Sequence, residues 1–523
     1  MSRIGRIKNG VIAAGHPHTV EAGAALLSGG GNAVDAAIAA VCTAFVAEPV
    51  LTAAGGGGFM LIAPASGEAS LLDGFARMPR GHAEHKELIP IEIDFGDHCQ
   101  TFHCGQASVA SPSLLAMLFE AHARYGRLPM REVLTPAIEA ARQGIRLNAL
   151  QASFIRLLTP ILTRLPDCAR LHTRNQQPCA TGDIFRNPDL ANTLEMLAID
   201  GIEEMYRGDL ARAIVRACSP HGLLTLDDLA APQFHWRKPL RVRTHSGLLL
   251  TNPPPSSGGL LIALTLSLLE HLPERHDWRV MLAETLRAVS QLRITLLDRA
   301  IRQNGIAATV LKGEVFAATL ASIEQRLFQT GKPDAESENA HGGTTHISVV
   351  DGQGMAVSIT TSNGEGSGII VPGSGIHLNN MLGEEDINPL GFHALPPGYA
   401  LSSMMAPSIF QSHRHGRLVL GSGGSNRLRS AIGQVLLHIL TRGKSLSEAI
   451  HAPRMHNEGA TLDVEPHLLD AHSRTQLKAL GWQLREWRSQ GVYFGGVHAI
   501  HLTPNGSIEG CGDPRRGGSW CLA

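Results

Sequence analysis

The sequence predicts an α+β protein, and three observations carry the prediction. Over the first 75 residues, glycine-bounded apolar strands alternate with helical runs. From about residue 107 to 330, Leu, Ala and Arg recur at the i, i+3, i+4 spacing of helices. Beyond residue 343 the runs become β-branched and partly alternate with a period of two.

Taken in order, "GVIAAG" reads as a short strand. "TVEAGAALLSGGGNAVDAAIAAVCTAFVAEP" reads as a helix, a glycine turn and an Ala-rich helix that Asn32 caps and Pro49 follows. "GGFMLIAP" and "ASLLDGF" form a candidate hairpin. "PSLLAMLFEAHARYG", "MREVLTPAIEAARQG" and "AETLRAVSQLRITLLDRAI" are helical, while "LRVRTHSGLLLTNPPPSSGG" interrupts them with strands. "TGKPDAESENAHGG", residues 330–343, has the polarity of a solvated loop. "THISVVD" and "MAVSITTS" then form a second hairpin around Asp351, Gly352, Gln353 and Gly354. If Val350 faces Met355, Thr344 falls opposite Thr361 and next to Ser362, so two hydroxyls meet at the open end of the hairpin.

Composition narrows the function classes. The 523 residues, 43% hydrophobic, supply a sizeable core for one large domain or two to three conventional ones. Lys+Arg 45 against Asp+Glu 46 leaves a net charge of -1, so no chain-wide attraction to nucleic acid or to an anionic membrane is expected and the partner is a small molecule. The N-terminal apolar run, Val11 to Ala14, falls short of the roughly 7–15 residues of a secretory core, and no apolar stretch is expected to approach the about 20 residues of a membrane span. The expected location is the cytoplasm. Eight scattered cysteines fit a reducing compartment. Cys99 and Cys104 lie beside His98 and His103, but their spacing is not that of a C-x-x-C pair and no second pair follows, so no metal site is expected.

Thr344 sits between the polar loop and the strand. If the Gly343–Thr344 bond is cut, the new α-amine, with a pKa of about 7.7–8.0, lies on the same residue as the hydroxyl and can take its proton. One residue then serves as nucleophile and base. Gly343, lacking a Cβ, suits the strained backbone of an N-to-O acyl shift. The plain alternative is a threonine that merely opens a strand. "GSGGSNR" at 421–427 also admits a phosphate-binding reading, though it lacks the ending and spacing of the phosphate-loop motifs. "LSSM" admits a simple strand-entry turn.

"GGTTHISVVD", "PPPSSGG" at 253–259, "LNN" at 378–380, "LSSMMAP" at 401–407, "GSGGSNR", "GGNAVDAAIA" at 30–39 and "GGGGFML" at 55–61 follow the order found in one family. With "YFGGVHAI" and "GDPRRGG" they cover essentially the whole chain, which resembles the gamma-glutamyltranspeptidase family of N-terminal nucleophile hydrolases. The resemblance implies a four-layer αββα sandwich and self-cleavage before Thr344. A large chain, residues 1–343, and a small chain of 523 − 343 = 180 residues, 344–523, would remain associated as one intertwined domain. It further implies Thr344 as the acylated nucleophile and Ser362 in place of a second threonine that hydrogen-bonds it. Gly423 and Gly424 would serve as oxyanion donors, and Ser402 and Ser403 as binders of a substrate carboxylate. No metal or organic cofactor is required.

Several positions depart from the family pattern. Where the family holds the substrate's α-carboxylate with an Arg, "LLDGFARMP" aligns Phe75, and a phenyl ring cannot replace a bidentate guanidinium. Arg77 and Arg80 are nearby substitutes. Glu384 keeps a negative charge where the family grips the α-amine, Met381 removes a polar contact, and a two-residue shortening leaves Asn363 as the available family asparagine. The short stretch from Glu384 to Ser402 leaves little chain for a lid, so hydrolysis is favoured over transfer. The expected activity is cleavage of gamma-glutamyl or related acyl amides. The alternatives are an amidase for another small acyl group, oxamate-type or glutaryl-type, and an unprocessed binding homologue without activity.

Overall fold

A computed structural model of the chain describes residues 8–94, 99–231, 233–273, 275–328 and 343–523. Its strands form two larger antiparallel sheets. One has seven strands in the order His235–Arg237, Ser70–Gly74, Gly57–Ala63, Ala356–Ser362, Thr345–Asp351, Gly10–Ala14 and Ser519–Leu522. The other has six, ordered Leu240–Arg243, Leu248–Thr251, Ser408–Ser412, Gly416–Gly423, Gly496–Leu502 and Ile508–Cys511. Each sheet combines strands from before and after residue 343.

Period-two alternation sorts the side chains into layers. Ile12, Met60, Ile62, Ile347, Val349 and Val357 of the larger sheet pack with the helices Pro17–Ser28 and Ala33–Ala47. Their neighbours Val11, Phe59, Leu61 and Val350 point the other way and meet Val419 and Ile500 of the smaller sheet. Leu418 and Leu420 continue outward to Ile262 and Leu266 of the helix Gly258–His271 and to Ile432 and Val435 of the helix Arg427–Leu440.

The helix Ala33–Ala47 is buried along its whole length and starts as its sequence predicts. Asn32 Oδ1 accepts from Val34 and Asp35 N–H, and the Asp35 carboxylate accepts from Asn32 N–H. Its small side chains allow the close approach of Gly23 in the helix Pro17–Ser28, where a Cβ would lie 3.0 Å from the Ala36 oxygen and 3.5 Å from Ala40 Cβ. The helices Leu114–Tyr125, Met130–Gln143 and Trp278–Leu292 and the first hairpin follow the sequence reading. The proposed solvated loop, apart from Gly343, lies outside the described residues.

Two features differ from expectation. Among the described residues one apolar run, Ile306–Leu327, is long enough to cross a bilayer by length and hydropathy. Yet it carries Lys312 and Glu314, and Gly313 at φ +76° divides it into two helices. The hairpin register is also shifted by one. Val350 pairs with Ala356 and Thr345 with Thr361, so Thr344 comes level with Ser362, not Thr361. Asp351 causes the shift by remaining in the strand. Its Oδ1 accepts from Gln353 and Met355 N–H at 2.9 and 3.0 Å, and its Oδ2 accepts from Ala33 N–H at 3.0 Å. The connecting loop therefore begins at Gly352.

Candidate active site

The alternation that sends Ile347 and Val349 toward the helices sends the residues between them toward the smaller sheet. Ser348 Oγ donates to the carbonyls of Val419 and His498, and Ser358 Oγ donates to that of Leu420. His346 lies in the same row, its Nδ1 2.8 Å from Thr360 Oγ1 and its Nε2 3.0 Å from Ser348 Oγ. Burial holds its pKa well below the usual imidazole range, with His498 acting in the same direction, so it is a neutral ring linking Thr360 and Ser348 within the larger sheet. Thr344 and Ser362 end this polar row, both buried.

Three backbone groups at Gly343 and Thr344 have specific partners. Ser362 Oγ donates to the Gly343 carbonyl at 2.5 Å and accepts from Gly364 N–H at 3.0 Å. Gly343 N–H donates to Glu365 Oε1 at 2.8 Å, and Arg516 Nη1 donates to the Thr344 carbonyl at 3.3 Å. Gly343 lies between two backbones, so an added Cβ would stand 2.6 Å from the Gly364 oxygen and 2.8 Å from that of Val50. Gly423, last in its strand, approaches the Thr344 carbonyl so closely that a Cβ there would lie 2.2 Å from its oxygen. Gly424 follows at φ +120°, turning the chain toward the helix Arg427–Leu440.

Thr344 and Ser362 open into a cavity of about 30 Å³, room for one or two waters. Phe75, Met381, Ile387, Met404, Met405 and Leu428 form its apolar wall. Ser403, Ser425, Glu384 and Asp386 form the polar part, and no lining residue is basic. Phe75 stacks on Phe59 with centroids 5.3 Å apart, while its N–H donates to Asp73 Oδ1. The two nearby arginines are engaged elsewhere. Arg77 donates to the Gly398 carbonyl and Arg80 pairs with Asp228 at 3.3 Å.

Ser403 Oγ accepts from Met405 N–H at the cavity wall, whereas Ser402 Oγ donates to the Pro255 carbonyl and does not line the cavity. Asn363 is likewise outside the lining and reaches the Leu378 carbonyl at 3.4 Å. Glu384 is buried, and its Oε1 has no hydrogen-bond partner among the described residues. Burial raises its pKa well above the usual range, reinforced by Glu365 and Asp386, and burial likewise pushes Glu365 up to about 8, with Asp386 adding to it. Sequence reasoning had given no role to Asp386, Glu365, Leu428 or Arg516. Arg516 stood in the quoted "GDPRRGG", and Glu365 is the lone charge in "SNGEGSG".

Comparison with known proteins places this geometry in context, since residues 19–522 match the family model described as gamma-glutamyltranspeptidase. The chain belongs to the gamma-glutamyltranspeptidase family. It is 31% identical over 520 residues to the acylase ACY 1 proenzyme of Pseudomonas sp. (strain V22), with 96% of this chain and 91% of that protein covered. It is 30% identical over 537 residues to the glutathione hydrolase proenzyme of Pseudomonas aeruginosa, with 97% and 94% covered. A cephalosporin acylase from Bacillus halodurans shares the fold with a TM-score of 0.84 at 23% identity, over 99% of this chain and 96% of that one. The gamma-glutamyltranspeptidase of Pseudomonas nitroreducens matches 58% of this chain and 92% of its own, at 27% identity and a TM-score of 0.50. Membership of this family makes the chain an enzyme of the N-terminal nucleophile hydrolase class, with an α+β fold.

Proposed function

We propose that the chain is the precursor of an N-terminal threonine amidohydrolase, cut before Thr344, that cleaves the amide of a small acyl group lacking an α-carboxylate. The observation that carries this reading is the acyl wall, where Phe75 occupies the position of the expected guanidinium and no lining residue is basic. An anionic carboxylate placed there would be desolvated beside Glu384 and Asp386 without a cation to offset the cost. The acylase name of one relative fits the same reading.

In this scheme the helix, sheet, sheet, helix order is the four-layer αββα sandwich of the class. Thr344 Oγ1 attacks the amide carbonyl while its own α-amine takes the proton. Gly423 and Gly424 supply backbone donors to the oxyanion, and Ser362 orients the nucleophile. The leaving amine departs, and water resolves the acyl-enzyme. With Gly343 still attached the cavity measures about 30 Å³, which fits a zymogen whose acyl pocket is not yet open.

A gamma-glutamyl substrate is the second reading, favoured by Glu384, whose unpartnered Oε1 suits an α-amine. The two are separated by intact mass spectrometry and p-nitroaniline release with butyryl, glutaryl and gamma-glutamyl p-nitroanilides, run beside Thr344→Ala. Butyryl turnover exceeding gamma-glutamyl turnover supports the first reading, and the reverse order overturns it. A glutaryl preference would also count against it, since the distal carboxylate of that group takes the place of the gamma-glutamyl α-carboxylate. A wild-type chain that stays whole at 55.8 kDa would point to the non-catalytic alternative.

A further inference from the structure

The groups that hold Gly343 are more numerous than a chain passing into a strand requires. Its carbonyl receives the Ser362 hydroxyl, and its N–H is received by the Glu365 carboxyl at 2.8 Å. Glu365 is itself fixed. Its N–H and that of Gly366 both donate to Asn380 Oδ1, at 2.9 and 3.2 Å, and Gly364 and Gly366 on either side have left-handed φ of +62° and +84°. A Cβ on Gly364 would lie 1.9 Å from Glu384 Oε1 and 2.1 Å from Asn380 Oδ1, so this loop has one way to sit. The carboxyl is buried, its second oxygen has no hydrogen-bond partner among the described residues, and Asp386, Arg427, Arg516 and Glu384 are ionisable groups that interact with it. Placing a carboxyl there costs desolvation free energy, and among the described hydrogen bonds the Gly343 N–H is the one donor it receives.

We infer that Glu365 is a positioning residue for self-cleavage: with Ser362 on the carbonyl and Glu365 on the N–H, Gly343 is clamped at both polar groups, and its carbonyl carbon is held toward the Thr344 hydroxyl. The inference rests on the reading that the chain cuts itself before Thr344. In that reaction the Thr344 oxygen bonds to the Gly343 carbon, the Gly343–Thr344 C–N bond breaks, and the hydroxyl proton ends on the freed Thr344 nitrogen. Water then hydrolyses the ester, leaving a carboxylate on Gly343 and restoring the Thr344 hydroxyl. Glu365 touches neither bond. It fixes the rotation of the residue between them, and its grip ends when Gly343 departs. Acceptance of an N–H needs only a carbonyl-type oxygen, so a glutamine can replace it and an alanine cannot.

The test follows conversion of the purified full-length precursor into two chains over time, for the wild type, Glu365→Ala, Glu365→Gln and Thr344→Ala, with thermal melting to verify that each folds. Expected is a loss of about a hundredfold in cleavage rate for Glu365→Ala, the scale of a misplaced reacting group. Glu365→Gln should be near the wild type, and hydroxylamine, which cleaves an accumulated ester, should not restore the alanine variant. A folded Glu365→Ala that cleaves at the wild-type rate, a Glu365→Gln as slow as alanine, or restoration by hydroxylamine each overturns the clamp while leaving self-cleavage standing. A wild type that stays whole, or a Thr344→Ala that is cut, instead overturns the self-cleavage reading and the inference with it.

Discussion

Gly343 shows how much a single methyl group matters here. Both atoms that an added Cβ would meet, the oxygens of Gly364 and Val50, belong to backbone and cannot swing away as a side chain would. Gly343→Ala should therefore move the carbonyl that Ser362 holds and slow conversion to two chains, by roughly a hundredfold if the displacement nears 1 Å, in a time course on a denaturing gel. Phe75 acts through packing. It is buried against Phe59, so Phe75→Ala should cost about 3–5 kcal/mol and lower the melting temperature even where it widens the cavity.

Among the elements, the hairpin carrying Thr344 depends on one turn. Asp351 accepts from three N–H groups, those of Ala33, Gln353 and Met355, which ties the turn to the start of the Ala-rich helix. Removing it in Asp351→Ala leaves donors unpaired at about 1–3 kcal/mol. A slip by one residue would turn the Thr344 side chain to the opposite face, so both the melting temperature and the cleavage rate should fall. The segment between Glu384 and Ser402 has only one short helical turn, Glu385–Ile387, and is pinned to the chain at Ala76 and Met78 by backbone hydrogen bonds at Leu401, Tyr399 and Gly398. So short a cover should leave the acyl-enzyme open to water. Adding a dipeptide acceptor should then leave the release rate of p-nitroaniline essentially unchanged, and a strong acceleration would contradict the open site.

For the whole molecule, interleaving is the dominant property. Both sheets join strands from before and after residue 343, so a cut there severs one bond and leaves the sheet hydrogen bonds in place. The two products should co-elute in gel filtration without denaturant and separate only when it is added. Buried ionisable groups set the pH limits. Glu365, raised from 4.5 to about 8, carries more protons folded than unfolded between those values, so its contribution is full in acid and is lost as pH rises through about 8. Burial lowers His16, His172 and His498 to about 4 and His377 to about 3, so theirs is present above about pH 6.5 and lost as pH falls through those values. Melting of the Thr344→Ala chain from pH 4 to 9 should fall at both ends, and adding Glu365→Gln should flatten the alkaline decline.

Much of this was legible in the chain itself, because it depends on near neighbours. Helix starts such as Asn32, the period-two runs on both sides of the turn and the hydroxyl at Thr344 are short-range signals. A motif order spanning residues 30 to 518 names the family without any contact being known. Other features depend on groups far apart in sequence. The hairpin register turned on Asp351 reaching Ala33, 318 residues away. Ser402 and Ser403 are adjacent in the chain, yet only Ser403 faces the cavity, because neighbouring side chains in an extended segment point to opposite sides. Glu365 looked like one polar residue in a glycine loop until folding buried it against Gly343. Burial and partnership are properties of the packed chain, and they make a carboxyl in a glycine loop the partner of the Gly343 N–H.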